Sequence, residues 1–349
     1  MLYWVLFLII TIVFAQLSIK FENSEKYFFK FLLFTSVIYF SAFRDGLGED
    51  YHNYEDLLQY GELLDYSFKE PGYSFIANIV YYTNFSSVLF FLIFAIITNF
   101  LFIKGFFRYD NTFLAIFIYL TGTIFYFNTF NIVRQMCSAS IFMFAIKYIE
   151  NNNLKKYVLA ILSASLFHVS AIILIPFYYI LKPIYNKNVL LALLIGSILL
   201  GQAFRVDMTS ILSQFIPIYE IYFDDENIVN SESGYLTLFI NLVLLGILLF
   251  DKSNKSIKDN IAFNLFFIGV LFYNLIPSFF FIYRFAVYFI VFCPIVLPTL
   301  NKVLPKKIWS LTLILGFGVM FFLFLVQNEK NLKINPTRIL PLESLFDKY

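Results

Sequence analysis

Charge is what this sequence has least of. Only 14% of its 349 residues are Asp, Glu, Lys or Arg, against about 25% in soluble globular chains, so it lacks the polar residues to cover a water-facing surface. A formal net charge of +2 with no basic cluster points to no nucleic-acid partner. Cysteine is nearly absent. Cys137 and Cys293 both lie inside apolar runs and read as small buried hydrophobes, which leaves no disulfide framework. No set of residues has metal-ligand spacing; no cofactor is expected, with a divalent ion on Asp50 the lesser alternative. No Lys or Arg precedes the first apolar run, so the n-region of a signal peptide is missing and that run reads as a retained span. No period of 20–50 residues recurs, which excludes a solenoid.

What is present is apolar. Hydrophobic residues make up 60% of the chain and the mean hydropathy is +0.77. They come in blocks of roughly 17–22, the length that crosses a hydrocarbon core of about 30 Å. Spans are expected near 2–19, 27–43, 85–107, 112–128, 132–149, 157–168, 170–181, 188–203, 234–250, 261–277, 279–299 and 308–326. The fold class is therefore all-α, a single polytopic transmembrane helix bundle over 1–349. Segment 157–181 has two readings, one tilted span or two half-helices meeting at His168 as a re-entrant hairpin. Pro176 and the break at His168 favour the hairpin. Phe is abundant, at 48 residues.

Basic residues set the orientation. Alternate short loops carry Lys20, Lys26 and Lys30, then Lys104 and Arg108, then Lys147, Lys155 and Lys156, and the pattern continues to Lys306 and Lys307. Those loops are expected to face the cytoplasm. Both termini, the loops 44–84 and 204–233 and the tail 327–349 then face outward from a cytoplasmic membrane. Five of the six arginines, Arg44, Arg134, Arg205, Arg284 and Arg338, fall on that outward side against the bias. Arg presents a planar fork of donors suited to phosphate and carboxylate oxygens, so its segregation suggests an anionic ligand there. For Arg205 and Arg338, pairing with acidic loop residues serves equally well. Arg134 and Arg284 sit at the ends of apolar spans, where a charge is costly and usually marks a functional cavity.

Three segments concentrate polarity at that face. Residues 44–51, RDGLGEDY, combine a cation, two glycines and the carboxylates Asp45, Glu49 and Asp50, and lead through Tyr54 to Glu70, Pro71, Gly72 and Tyr73. Residues 131–135, NIVRQ, put Asn131 and Gln135 four apart on one helical face with Arg134 beside them. Asn131 as a helix N-cap is the plainer reading, and it leaves Arg134 unexplained because a cation there opposes the helix dipole. The third is His168, one of only two histidines, within LFHVS.

In order and spacing, these segments resemble the EpsG family, membrane proteins grouped with Wzy polysaccharide polymerases. Arg284 with Tyr283 and Tyr288 resembles the family's later Arg and aromatic element, and the tail 336–345 is also similar. The resemblance implies a glycosyltransferase joining undecaprenyl-diphosphate-linked oligosaccharides into O-antigen or capsule, with a flippase and a chain-length regulator as partners. It implies arginines on the diphosphate, with Arg44, Arg134 and Arg284 as candidates. Asp50, Glu70 and His168 are the candidate bases, since Arg stays protonated. Tyr51, Tyr54 and Tyr73 are candidate platforms for sugar rings. Another lipid-linked glycosyltransferase or ligase, or a transporter of such glycans, remains open; crowding of polar residues on one face favours an enzyme over a transporter.

The charge asymmetry makes a direct prediction. An impermeant thiol reagent applied to intact cells labels an Asp65→Cys variant and leaves Asn254→Cys unlabelled; the reverse pattern contradicts the topology.

Overall fold

A computed structural model describes residues 2–44, 46–48, 50–60, 70–83, 86–182, 185–203, 233–250, 257–275, 282–302 and 305–330. Asp45, Glu49, Arg205, Arg338, nearly all of the 204–233 loop and the tail beyond 330 lie outside them. The chain is an all-α membrane protein, with no strand among the described residues. Helices Leu2–Lys20 and Ser87–Phe106 and segments Ile282–Thr299 and Lys306–Val326 are each long and apolar enough to cross a membrane.

The chain divides into two compact units. The first runs Met1–Tyr178 and includes Leu297–Thr299 and Lys306–Tyr349. It contains α1 (Leu2–Lys20), α2 (Asn23–Ala42), α3 (Tyr51–Tyr60), α4 (Pro71–Thr83), α5 (Ser87–Phe106), α6 (Thr112–Thr121), α7 (Asn128–Asn131), α8 (Val133–Glu150) and α9 (Leu154–Ser165). Helix α1 packs on α2, α2 on α5, α5 on α8 and α8 on α9. One end of this unit is basic: Lys30 lies over Phe107, and Lys104 and Lys147 both lie over Phe144. Arg108 pairs there with Glu150. Arg134 is at the other end of α8, about 20 Å away at 1.5 Å per residue.

Two expectations change. The span placed at 112–128 stops at Thr121. Gly122 leaves the helix with extended backbone, φ −76° and ψ 119°, and the Tyr126 N–H then returns to the Tyr119 carbonyl. The returning turn is held by aromatic packing, with Trp4 edge-on to Phe127 at 5.1 Å and Phe7 stacked on Tyr126 at 5.5 Å. The 44–84 segment is also largely helical, through α3 and α4.

The 157–181 ambiguity resolves to a hairpin. After α9 the chain turns through His168 into a 3-10 segment, Val169–Leu174. In a continuous helix Tyr157 and Leu174 would stand about 26 Å apart. Instead the Tyr157 hydroxyl donates to the Leu174 carbonyl at 2.6 Å, and the Tyr157 and Tyr178 rings are 5.5 Å apart. The chain doubles back with His168 at its tip. Ser138 on α8 fastens that tip by donating to the Ala164 carbonyl at 2.9 Å.

The second unit, Tyr179–Val296 with Leu300–Pro305, contains α10 (Lys187–Ala203), α11 (Ser233–Phe250), α12 (Ile257–Leu275) and α13 (Ile282–Ile290). Its helices are joined by amides where lipid-like surroundings offer no water. Asn241 and Asn274 exchange two hydrogen bonds, at 2.6 and 2.9 Å, and Asn274 also donates to Ser197 at 2.9 Å. Truncating Asn274 strands both partners. Asn274→Ala is expected to cost about 1–3 kcal/mol, read as a lower melting temperature of the purified protein; an unchanged melting temperature contradicts this.

Candidate functional site

The site is built around one carboxylate. Glu70 stands immediately before α4, and Pro71 takes the first helical position, where its fixed φ and missing N–H cost nothing. The next two N–H groups, of Gly72 and Tyr73, both donate to the Leu166 carbonyl at the hairpin tip, at 2.9 and 3.2 Å. Two orphan donors of the helix start are thereby satisfied by backbone. A Cβ on Gly72 would stand 3.0 Å from Leu166 Cβ and 3.1 Å from its oxygen, so glycine is what permits the approach. With the cap supplied by Leu166, the Glu70 side chain is free to point away from its own helix.

It points at the other two elements. Glu70 Oε2 accepts from Arg134 Nη1 at 2.6 Å. Glu70 Oε1 lies 2.8 Å from His168 Nδ1 and accepts from the Val169 N–H at 3.2 Å. The carboxylate is 5% exposed, Arg134 26% and His168 17%. An ionised carboxylate only accepts, so Nδ1 of His168 carries the proton, and in the neutral ring Nε2 keeps its lone pair. Nε2 has no protein partner among the described residues. Burial by itself would raise the Glu70 carboxyl. The His168 hydrogen bond, the Arg134 and His168 charges and the Val169 N–H outweigh it and hold the carboxyl below its ordinary 4.5.

Arg134 is fixed on its other sides. Its guanidinium lies over the Tyr73 ring at 4.8 Å and is hydrogen-bonded to Tyr54. Arg44 is a separate case. It is 1% exposed, sandwiched between the faces of Phe91 at 4.5 Å and Phe130 at 4.8 Å. Burial pulls its pKa down to about 9, against the raising influence of Tyr51, Tyr54, Tyr126 and Asp50, so it stays protonated at neutral pH. Gly48 closes this loop onto the bundle. Its φ of +111° suits glycine, and a Cβ there would lie 2.7 Å from the Phe130 carbonyl.

Glu70, His168, Arg134, Tyr54 and Tyr73 are therefore brought together from positions spread over more than a hundred residues. Asp50 stands in the turn before α3, where its carbonyl accepts from the Tyr54 N–H, and acts on Arg44 and Tyr54 through its charge. The tyrosines present no open ring face for a sugar. Tyr51 is stacked on Phe91 at 5.0 Å, Tyr54 packs on Phe90 at 5.5 Å, and the Tyr73 face carries Arg134. Asn131 does not cap α8: the cap position is Ile132, at φ −87° and ψ 56°, and it breaks the helix so that Asn131 and Gln135 share no continuous face. Gln135 is buried. Among the described residues no three His, Cys, Asp or Glu side chains form a metal-binding group.

Residues 27–343 match the EpsG family. The chain belongs to the EpsG family. Members are Wzy-like polymerases and glycosyltransferases, and that membership makes this a membrane protein of polysaccharide-polymerase type. Among curated proteins and solved structures nothing matches. In the second unit of this EpsG-family chain, Arg284 and Tyr283 are half-buried near the start of α13, while Tyr288 is fully buried. Sequence reasoning missed Phe91, Phe130, the Leu166 carbonyl and the Val169 N–H. Two are aromatics among many and two are backbone groups, so neither kind gave a signal.

The Glu70 shift fixes the sign of one pH effect. Because its folded pKa is depressed, its stabilisation is fully present above the unfolded value near 4.5 and is lost as pH falls through the folded one. Melting temperature should therefore drop more steeply below about pH 4.5 in wild type than in Glu70→Gln; parallel curves contradict the buried bridge.

Proposed function

We propose that this protein joins oligosaccharide repeats carried on undecaprenyl diphosphate into O-antigen or capsular polysaccharide, at the outer face of the bacterial cytoplasmic membrane. Family membership supports the polymerase reading, and the lysine-rich end of the first unit supports the orientation, since short basic loops stay cytoplasmic. The observation that carries the chemistry is the Glu70 carboxylate on His168 Nδ1 at 2.8 Å.

In this reaction an acceptor sugar hydroxyl attacks the anomeric carbon of a donor. A new carbon–oxygen bond forms as the bond to the diphosphate breaks, and the lipid diphosphate leaves with the electron pair. The hydroxyl proton needs a base. His168 Nε2 has the lone pair, and Glu70 fixes the tautomer and stabilises the imidazolium as the proton arrives. Glu70 itself is a poor base, because its surroundings favour the ionised form. Asp50, by its place near Arg44, tunes the local charge. Arg134 holds the Glu70 carboxylate from the opposite side and keeps it aimed. A flippase supplying the donor and a regulator setting chain length are the partners that the family resemblance implies.

Turnover of lipid-linked repeats by purified protein tests the assignment. His168→Ala should cost about 10²–10⁴ in rate, the usual loss on removing a proton-transfer group. Asp50→Asn should cost less, and Glu70→Gln should lose rate while shifting the pH profile. Near-normal turnover of His168→Ala across pH 6–9 would remove His168 from the chemistry.

A further inference from the structure

One aromatic ring collects two cations at the basic end of the first unit. Lys104 lies in the last turn of α5 and Lys147 in the last turn of α8. Both reach the Phe144 ring, with Nζ at 5.5 and 3.3 Å from its centroid. Phe100 flanks Lys104 at 5.3 Å, and Tyr148 flanks Lys147 at 4.8 Å. Ring faces attract ammonium groups and hold these two in place. Two like charges drawn to one ring also repel each other, and an anion between them relieves that repulsion. No carboxylate of the protein does so. Helix α5 carries no acid, and α8 carries one, Glu150, which Arg108 takes. Neither lysine has an ion-pair partner among the described residues.

The surface leading to this pair is apolar. Ile96, Phe100 and Lys104 stand at four-residue intervals, and so on one face of α5. Ile96 is 45% exposed and Phe100 41%. A strip of exposed apolar side chains thus runs along a helix long enough to cross a membrane and ends at two ammonium groups. Lysine stems lie along apolar surface while their heads reach the interface, the level at which lipid phosphates stand. A soluble anion would match the two charges and leave the strip unused. A phospholipid matches both.

We infer that Lys104 and Lys147 form a binding site for the headgroup phosphate of an anionic phospholipid, with an acyl chain laid along Ile96 and Phe100. Basic pockets between membrane helices favour anionic headgroups. A zwitterionic headgroup brings its own cation, which competes for the same phosphate. The site stands at the opposite end of α8 from Arg134 and does not depend on the polymerase reading.

Thermal unfolding of the full-length protein in neutral detergent, titrated with phosphatidylglycerol or phosphatidylcholine, tests this. Each variant is measured against its own lipid-free melting temperature. Phosphatidylglycerol should stabilise wild type at lower concentration than phosphatidylcholine does. Lys104→Gln and Lys147→Gln should each weaken its apparent affinity about fivefold, the effect of one basic residue at an anionic surface. Lys155→Gln, at an exposed position in the first turn of α9, should bind as wild type does. An equal response of wild type to the two lipids overturns the site, and that result needs no variant to fold. Wild-type affinity in either Lys104→Gln or Lys147→Gln overturns it too. A fivefold loss in Lys155→Gln as well would reduce the effect to general surface charge and sink the assignment. Inorganic phosphate that stabilises the protein as well as the lipid does would show that the apolar strip contributes nothing, and a lipid site would be contradicted.

Discussion

A buried carboxylate shared between a guanidinium and an imidazole is the constraint on which the first unit depends. Glu70 gives one oxygen to Arg134 and the other to His168 and the Val169 N–H. Three stretches of chain, the start of α4, the start of α8 and the hairpin tip, therefore meet at a single point. Removing any one partner leaves a buried charge or acceptor unsatisfied, which is far costlier than the pair is stabilising. The arrangement binds structure and chemistry together, since the group that locks the hairpin in place also sets the histidine tautomer.

Backbone fit makes this contact attainable. Gly72 lets Leu166 come close enough for its carbonyl to cap α4, and the cap in turn leaves the Glu70 side chain unused by its own helix. Ser138 ties the same tip to α8 from the other side. The aromatic residues act as spacers here. Phe91 supports Tyr51 and Arg44 at once, and Tyr73 supports Arg134. A bundle so poor in charge places its few ions where aromatic faces and hydrogen bonds can hold them.

Much of this was legible in the sequence, and the reasons differ by residue. Hydropathy located the membrane helices because bilayer thickness sets their length, and it failed at 122–128 because an apolar turn packed by Trp4 and Phe7 looks the same as an apolar helix. Glu70, Arg134 and His168 stood out because ionisable groups are expensive beside apolar spans. Their mutual contact was hidden by the long separations between them, of 64 residues for Arg134 and 98 for His168. Tyr51, Tyr54 and Tyr73 are candidate platforms by sequence, which gives no account of the ring faces that Phe91, Phe90 and Arg134 take. Arg44 was found by its place against the charge bias, while its burial between Phe91 and Phe130 is visible only in three dimensions.

The tautomer of His168 tests the account most directly, and a chain with two histidines makes it measurable. In ¹⁵N-histidine-labelled protein carrying His52→Gln, every imidazole signal belongs to His168. The account predicts that the neutral ring is protonated at Nδ1, with Nε2 unprotonated, and that Glu70→Gln, which keeps the shape but not the charge, abolishes this preference. A neutral His168 protonated at Nε2 in the otherwise wild-type chain would contradict it.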